Sequence, residues 1–385
     1  MDKIIADLDD YKQRAREVRD VLLGNLVRLG EVPSPTFRER RRAELLQQIF
    51  TENGLQNCSI DEMSNAMAVM PGTEGGENIL VTAHSDTDFT EEVDHNITLQ
   101  TDRVIGPGVA DNSLGLAVLA SLPELVDCLG ESFRNNIILL SDSRSLGRGD
   151  LGGMRFFIEN NRLPLKAAVC MEGAELSRLS FGCIGVLRAE VNCTVPDEYD
   201  WTKFGAASAI VSLNEVISRI LEIPTPTRPR TNVMLERVEG GESLSTVATK
   251  ARLQFEIRSD SLETIESVAN QIDSIIAEID SREGGDVTWK VIARRRPNSL
   301  PFTHPLVNNT KLILETLGLE PRMTPSTAEL SVILDHNVPA VTLGLTNVER
   351  LHQMDETIYI EPMFTGIAQL IGLLRAIDKG KCDGD

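Results

Sequence analysis

Four side chains able to bind a divalent cation stand just past apolar runs. His84 stands in "LVTAHSDTD", Asp111 in "GPGVADNSLG", Glu172 follows "AAVCM", and His352 lies in "ERLHQMDE". Imidazole nitrogens mixed with carboxylate oxygens form a donor set suited to Zn²⁺, or to another divalent ion such as Mn²⁺ or Co²⁺. Asp86, two residues beyond His84, is placed to orient the imidazole from behind. Singly, each residue has a plainer explanation. Asp111 would cap the helix that follows it, Glu172 would be a solvated loop acid, and each histidine a surface residue. Together they carry more weight, because His84, Asp111, Glu172 and His352 all fall at loop starts after strand-like segments, where α/β proteins assemble their sites.

A carboxylate for acid–base work is harder to find. "NNIILLSDSRSLGRGDLGG", residues 135–153, opens as a buried strand and breaks into a glycine-punctuated loop. At its end stand Asp142, Ser143, Arg144, Ser145 and Leu146. Asp142, or Asp150 in the same loop, could supply the carboxylate. The guanidinium of Arg144 cannot accept a proton, but it pairs well with an anionic ligand.

The elements that must position these residues alternate in type. A helix is expected from about Asp7 to Leu29, ended by "VPSPT", and a second from Glu39 to about Asn53. Apolar strands follow: "AMAVMPG", "NILVTAHSD", "NNIILLSD" and "LKAAVCMEG", with the helical pattern "NSLGLAVLASLPELVDCL" between them. Strands alternating with helices imply an α/β fold, a mostly parallel sheet flanked by helices. After Leu179 the order becomes β-α-β-β-α-β, the ferredoxin-like motif. Its second helix, "SLETIESVANQIDSIIAEID", is expected to start at an Asp260 cap with Glu263 three residues on. "PAVTLGL" and "FTGIAQLIGLLRAI" then return to the first pattern. The expected organisation is therefore a metal-binding domain over 1–179 and 296–385, with an inserted α+β lid over 180–295.

These segments, in this order, resemble the dizinc aminoacylase and carboxypeptidase family, which includes succinyl-diaminopimelate desuccinylase, acetylornithine deacetylase and peptidase T. "TAHSDTD" resembles the family's His-x-Asp strand end, and "GPGVADNSLGLAVL" its bridging-aspartate turn and helix. "CMEGAELSRLSFGCIGVLR" resembles the third ligand segment, and "NVPAVTLG" with "LHQMDETIYI" the final strand and its histidine. The resemblance implies a zinc-exopeptidase-like fold and hydrolysis of a peptide or N-acyl amide bond. His84 and Glu172 would hold the first metal, Asp111 would bridge, and His352 would hold the second. The lid's Arg258 would contact a substrate carboxylate, and a homodimer would form through the lid.

The resemblance breaks where the family carries a Glu-Glu pair. Its first Glu is the general base and its second a ligand of the second metal. Here the pair would fall at Arg144–Ser145 or Ser145–Leu146, and there is no glutamate between Glu131 and Glu159. A lid histidine that stabilises the oxyanion would fall near Tyr199, an asparagine near Ser245, and an acidic residue at Ala328. One firmly held ion is expected, with the second site incomplete. Two readings stay open: a divergent metallohydrolase lacking the usual base, or a catalytically impaired relative, a pseudoenzyme, that binds an amino-acid-like ligand or a protein partner.

Charge narrows the partners. The chain has 58 acidic and 38 basic residues, a formal charge of −20. That disfavours nucleic acid and anionic membranes. The N-terminal stretch is charged and helix-like with no apolar core, and no CxxC spacing is present. A cytoplasmic protein with free thiols is expected.

Overall fold

The computed structural model describes residues 1–197, 208–282 and 285–384. The chain divides into two compact units, Met1–Gly182 with Ser299–Asp385, and Cys183–Asn298.

The larger unit is built on a mixed sheet. Among the described residues its order is Gln56–Ile60, Ala66–Met70, Asn136–Asp142, Asn78–His84, Leu165–Glu172, Ala340–Gly344, Arg178–Ser180 and Arg322–Met323. The four strands at its centre, from Asn136–Asp142 to Ala340–Gly344, run parallel. They are continuous apolar runs because helices cover both faces of such a sheet. The parallel register sets their carboxyl ends at one edge. His84 lies opposite Asp142, and Glu172 opposite Gly344.

The first predicted helix is in fact two, Asp2–Ala15 and Arg19–Gly30, joined by a 3-10 turn at Arg16–Val18. The turn lets Leu8 and Tyr11 on one side and Leu22 and Leu26 on the other enter the same core. The helices at Val109–Leu129 and Ile360–Asp378 are long and apolar enough to cross a membrane, but 78% and 89% of their apolar windows lie inside the fold. They are the core helices that cover the sheet, a role that also selects for apolar composition.

The smaller unit has the β-α-β-β-α-β order. Its antiparallel sheet runs Thr231–Gly240, Lys250–Ser259, Gly185–Thr194, Asp286–Arg295. Helices Ala209–Leu221 and Leu262–Asp280 pack on it through Leu213, Val216, Ile220, Ile265, Ile272 and Ile276. The cap of the second helix is Ser261, whose hydroxyl accepts from the Thr264 N–H at 3.2 Å. Asp260 is instead drawn away by Arg230, at 2.8 Å.

Candidate metal centre

His84 is the last residue of its strand and is almost wholly buried. Its Nδ1 lies 3.0 Å from the Asp86 carbonyl. A carbonyl only accepts, so Nδ1 carries a hydrogen, and Nε2 is the nitrogen that would bind an ion on losing its proton. Nε2 is 2.9 Å from Asp111 Oδ1 and 3.9 Å from Glu172 Oε2. One donor atom from each of His84, Asp111 and Glu172 falls within 4.8 Å of the others. Two donors about 2.0–2.1 Å from one Zn²⁺ at the tetrahedral angle stand about 3.3 Å apart. The three side chains therefore fit one divalent ion, with a position left open.

Backbone contacts hold the three in register. The Asp111–Asn112 peptide is cis. Asn112, fully buried, donates from Nδ2 to the Met171 carbonyl at 2.7 Å, and its Oδ1 accepts from the Gly173 N–H at 3.0 Å. One amide thus clamps the Asp111 turn to the residues on either side of Glu172. Glu356, also fully buried, accepts from the N–H groups of Ala110, Asp111 and His352 at 2.5, 3.0 and 2.9 Å. His352 Nδ1 comes within 3.3 Å of Asp111 Oδ2, so Asp111 faces one histidine with each oxygen.

The charge states follow. Burial alone would depress His84, but hydrogen bonds from its ring to the Asp111 and Asp86 carboxylates more than reverse this and hold its pKa well above the usual value. Burial would raise Asp111, yet His352 and His84 pull it far below the ordinary carboxylate range. Burial pushes Glu172 up to about 7, against the opposing pull of His84 and Arg178.

The chain is similar to several known proteins. Residues 202–283 match the peptidase dimerisation domain. The acetylornithine deacetylase of Vibrio atlanticus is 21% identical over 327 residues, 80% of this chain and 83% of its own. These likenesses are the kind that the sequence resemblance to the aminoacylase/carboxypeptidase family implies. The chain's fold recurs in a Staphylococcus aureus tripeptidase, with TM-score 0.76 at 18% identity over 94% of this chain and 99% of that one. It recurs too in a Bacillus subtilis protein described as a dinuclear metal-binding peptidase, with TM-score 0.65 at 15% identity over 94% and 99%.

The remaining residues singled out in the sequence can now be placed. Asp86 is buried and 3.5 Å from His84 Nδ1. Its oxygens accept from the N–H groups of Ser145 and Leu146 and from Thr36 Oγ1, at 3.1, 2.9 and 2.8 Å. It therefore anchors the altered loop and the histidine together. Asp142 is fully buried, and Thr82 Oγ1 donates to it at 2.5 Å. Burial first, then the neighbouring Glu329, pushes its pKa well above the usual range.

Arg144 has a positive φ of 53° and donates its N–H to Glu39 Oε1 at 2.9 Å. Its guanidinium lies 5.6 Å over the Phe37 ring. Ser145 donates from its hydroxyl to Glu329 Oε1. Glu329, only 3% exposed, is the carboxylate that sequence reasoning missed. The acidic group absent at Ala328 stands one residue on, just before the helix Leu330–Asp335. Asn112, although inside the quoted "GPGVADNSLG" turn, and Glu356 were missed too, since both act by hydrogen bonds to distant parts of the chain. In the smaller unit, Arg258 pairs with buried Glu256 at 3.0 Å, and Arg188 meets the same carboxylate at 2.9 Å. Tyr199 lies outside the described residues.

Proposed function

We propose that the protein is an active metal-dependent hydrolase of a peptide or N-acyl amino acid amide bond, with His84, Asp111 and Glu172 as its ion-binding residues and Glu329 as its proton carrier. The convergence of those three donors at the strand ends supports this reading above all. A divalent ion bound there polarises a carbonyl and acidifies water. Zn²⁺ suits the donors, and Mn²⁺ or Co²⁺ would serve.

Glu329 takes the part of the missing loop glutamate. Its Oε1 is held by the Ser145 hydroxyl, and the Asp142 carboxyl beside it shares its buried surroundings. Glu329 accepts one proton as water oxygen adds to the amide carbon, then delivers it to the nitrogen as the C–N bond breaks. Positioned acid–base catalysis of this kind is worth about 10²–10⁴-fold. A homodimer through the smaller unit is part of the reading, supported by Ile210, Val211 and Leu221, which are exposed on the helix Ala209–Leu221.

The test is turnover of a panel of dipeptides and N-acyl amino acids by zinc-loaded protein, beside Glu329→Gln. Wild-type turnover reduced at least about 10²-fold in the variant, with zinc content unchanged, is expected. Equal turnover by both would remove Glu329 from the mechanism. Zinc binding without turnover of any substrate would favour the non-catalytic relative.

A further inference from the structure

We propose that Arg144, held over the Phe37 ring, binds a second carboxylate on the substrate, so that the protein prefers substrates with an acidic acyl group or an acidic side chain. This rests on the hydrolase reading above and narrows its substrate class. A short run of contacts sets the pair beside the metal centre. Asp86, 3.5 Å from His84 Nδ1, accepts from Thr36 Oγ1 on one side and from the Ser145 N–H on the other, at 2.8 and 3.1 Å. Phe37 and Arg144 adjoin these two donors in sequence. The strand that leads to Arg144 ends at Asp142, opposite His84 in the sheet.

Both residues sit in the left-handed region, with φ of 75° at Phe37 and 53° at Arg144, a conformation that strains residues other than glycine. One carboxylate oxygen holds both of them there: Glu39 Oε1 accepts the Phe37 N–H and the Arg144 N–H, each at 2.9 Å. Glu39 is only 2% exposed, so water does not compete for these bonds. The guanidinium lies 5.6 Å from the centroid of the Phe37 ring. The arginine stem runs along Gly152, where a Cβ would meet Arg144 Cβ and Cδ at 3.6 and 3.7 Å. The strain contributes nothing to the core, because Phe37 is 53% exposed; its product is a cation posed on an open aromatic face. Among the described residues no carboxylate pairs with the Arg144 guanidinium, and its Nε is buried without a hydrogen-bond partner. Burial of Nε fixes the plane, and Nη1 and Nη2 are the donors left for a ligand. A planar fork of this kind suits a carboxylate, which it can grip with two parallel hydrogen bonds.

The experiment compares kcat/KM of zinc-loaded wild type, Arg144→Gln and Arg144→Lys on two matched pairs, N-succinyl-alanine against N-acetyl-alanine and the dipeptide Ala-Glu against Ala-Gln. The first pair reads a carboxylate on the acyl group, the second a carboxylate on the side chain. Wild type should prefer the acidic member of at least one pair by about tenfold or more, the scale of a hydrogen bond to a charged group. Arg144→Gln should abolish that preference, and Arg144→Lys should keep only part of it. Equal use of acidic and neutral members by wild type, or a preference that survives in Arg144→Gln, overturns the proposal. If wild type turns over no substrate, the hydrolase reading fails by itself, and calorimetric titration of the zinc-loaded protein with glutarate and with butyrate decides the carboxylate site. Glutarate binding at least about tenfold tighter than butyrate in wild type, but not in Arg144→Gln, upholds it; the same ratio in both proteins overturns it.

Discussion

Replacing Asn112 by Ala is a searching test of how the centre is positioned. The side chain is buried and touches no proposed donor directly; it joins the Asp111 turn to the end of the Glu172 strand by two hydrogen bonds. Alanine leaves the Met171 carbonyl and the Gly173 N–H buried without partners. Each such orphan costs about 1–3 kcal/mol, so a loss of about 3–5 kcal/mol is expected. For a unit of this size that corresponds to a Tm lowered by roughly 6–20 °C. Zinc affinity should fall as well, by about 10–100-fold, as it does when groups that orient ligands are removed. Scanning calorimetry of the apo protein and competition with a zinc chelator measure the two effects separately. A lowered Tm with unchanged zinc affinity would refute the positioning argument and leave Asn112 a packing residue. A Tm within about 2 °C of wild type would refute the hydrogen-bond accounting itself.

Three further outcomes are expected. Gly173→Ala would set a Cβ 2.1 Å from the Ala110 carbonyl oxygen, so the two loops must separate; an apo stability loss of about 1–3 kcal/mol and weakened zinc binding are expected by calorimetry and chelator competition. Zinc affinity should fall at least about tenfold between about pH 8 and about pH 6, because binding must displace protons from His84, held high, and from Glu172, pushed up to about 7; dialysis at fixed ionic strength measures it, and a flat profile would exclude these ligands. Arg144→Ala should cost only about 0.5–1 kcal/mol by calorimetry, since it removes a contact with the exposed Phe37 ring, and should leave zinc stoichiometry by dialysis unaltered.

The legible parts of this molecule were those carried by local pattern. Runs such as "NILVTAH" and "LKAAVCME" are apolar throughout because both faces of a parallel sheet are covered, and so the strand ends, with His84 and Glu172, could be found from sequence. Asp111 was visible from its glycine turn. Glu329, Asn112 and Glu356 were not, because each acts across 61 to 246 positions of chain: Ser145 with Glu329 across 184, Asn112 with Gly173 across 61, Glu356 with Ala110 across 246. Only the folded topology brings such pairs together. The cap at Ser261 rather than Asp260 was a nearer miss, decided by Arg230 in the turn just before the strand Thr231–Gly240.

The loop over 142–146 carries no glutamate. Its backbone is gripped from outside: Asn65 takes the Ser143 N–H at 2.9 Å, Glu39 that of Arg144, and Asp86 those of Ser145 and Leu146. The loop's path is therefore written mainly in other segments of the chain. Its own side chains are free to drift through mutation without the loop losing its shape. By the same logic an engineer could seat a new pair of side chains in such a socket without redesigning the scaffold.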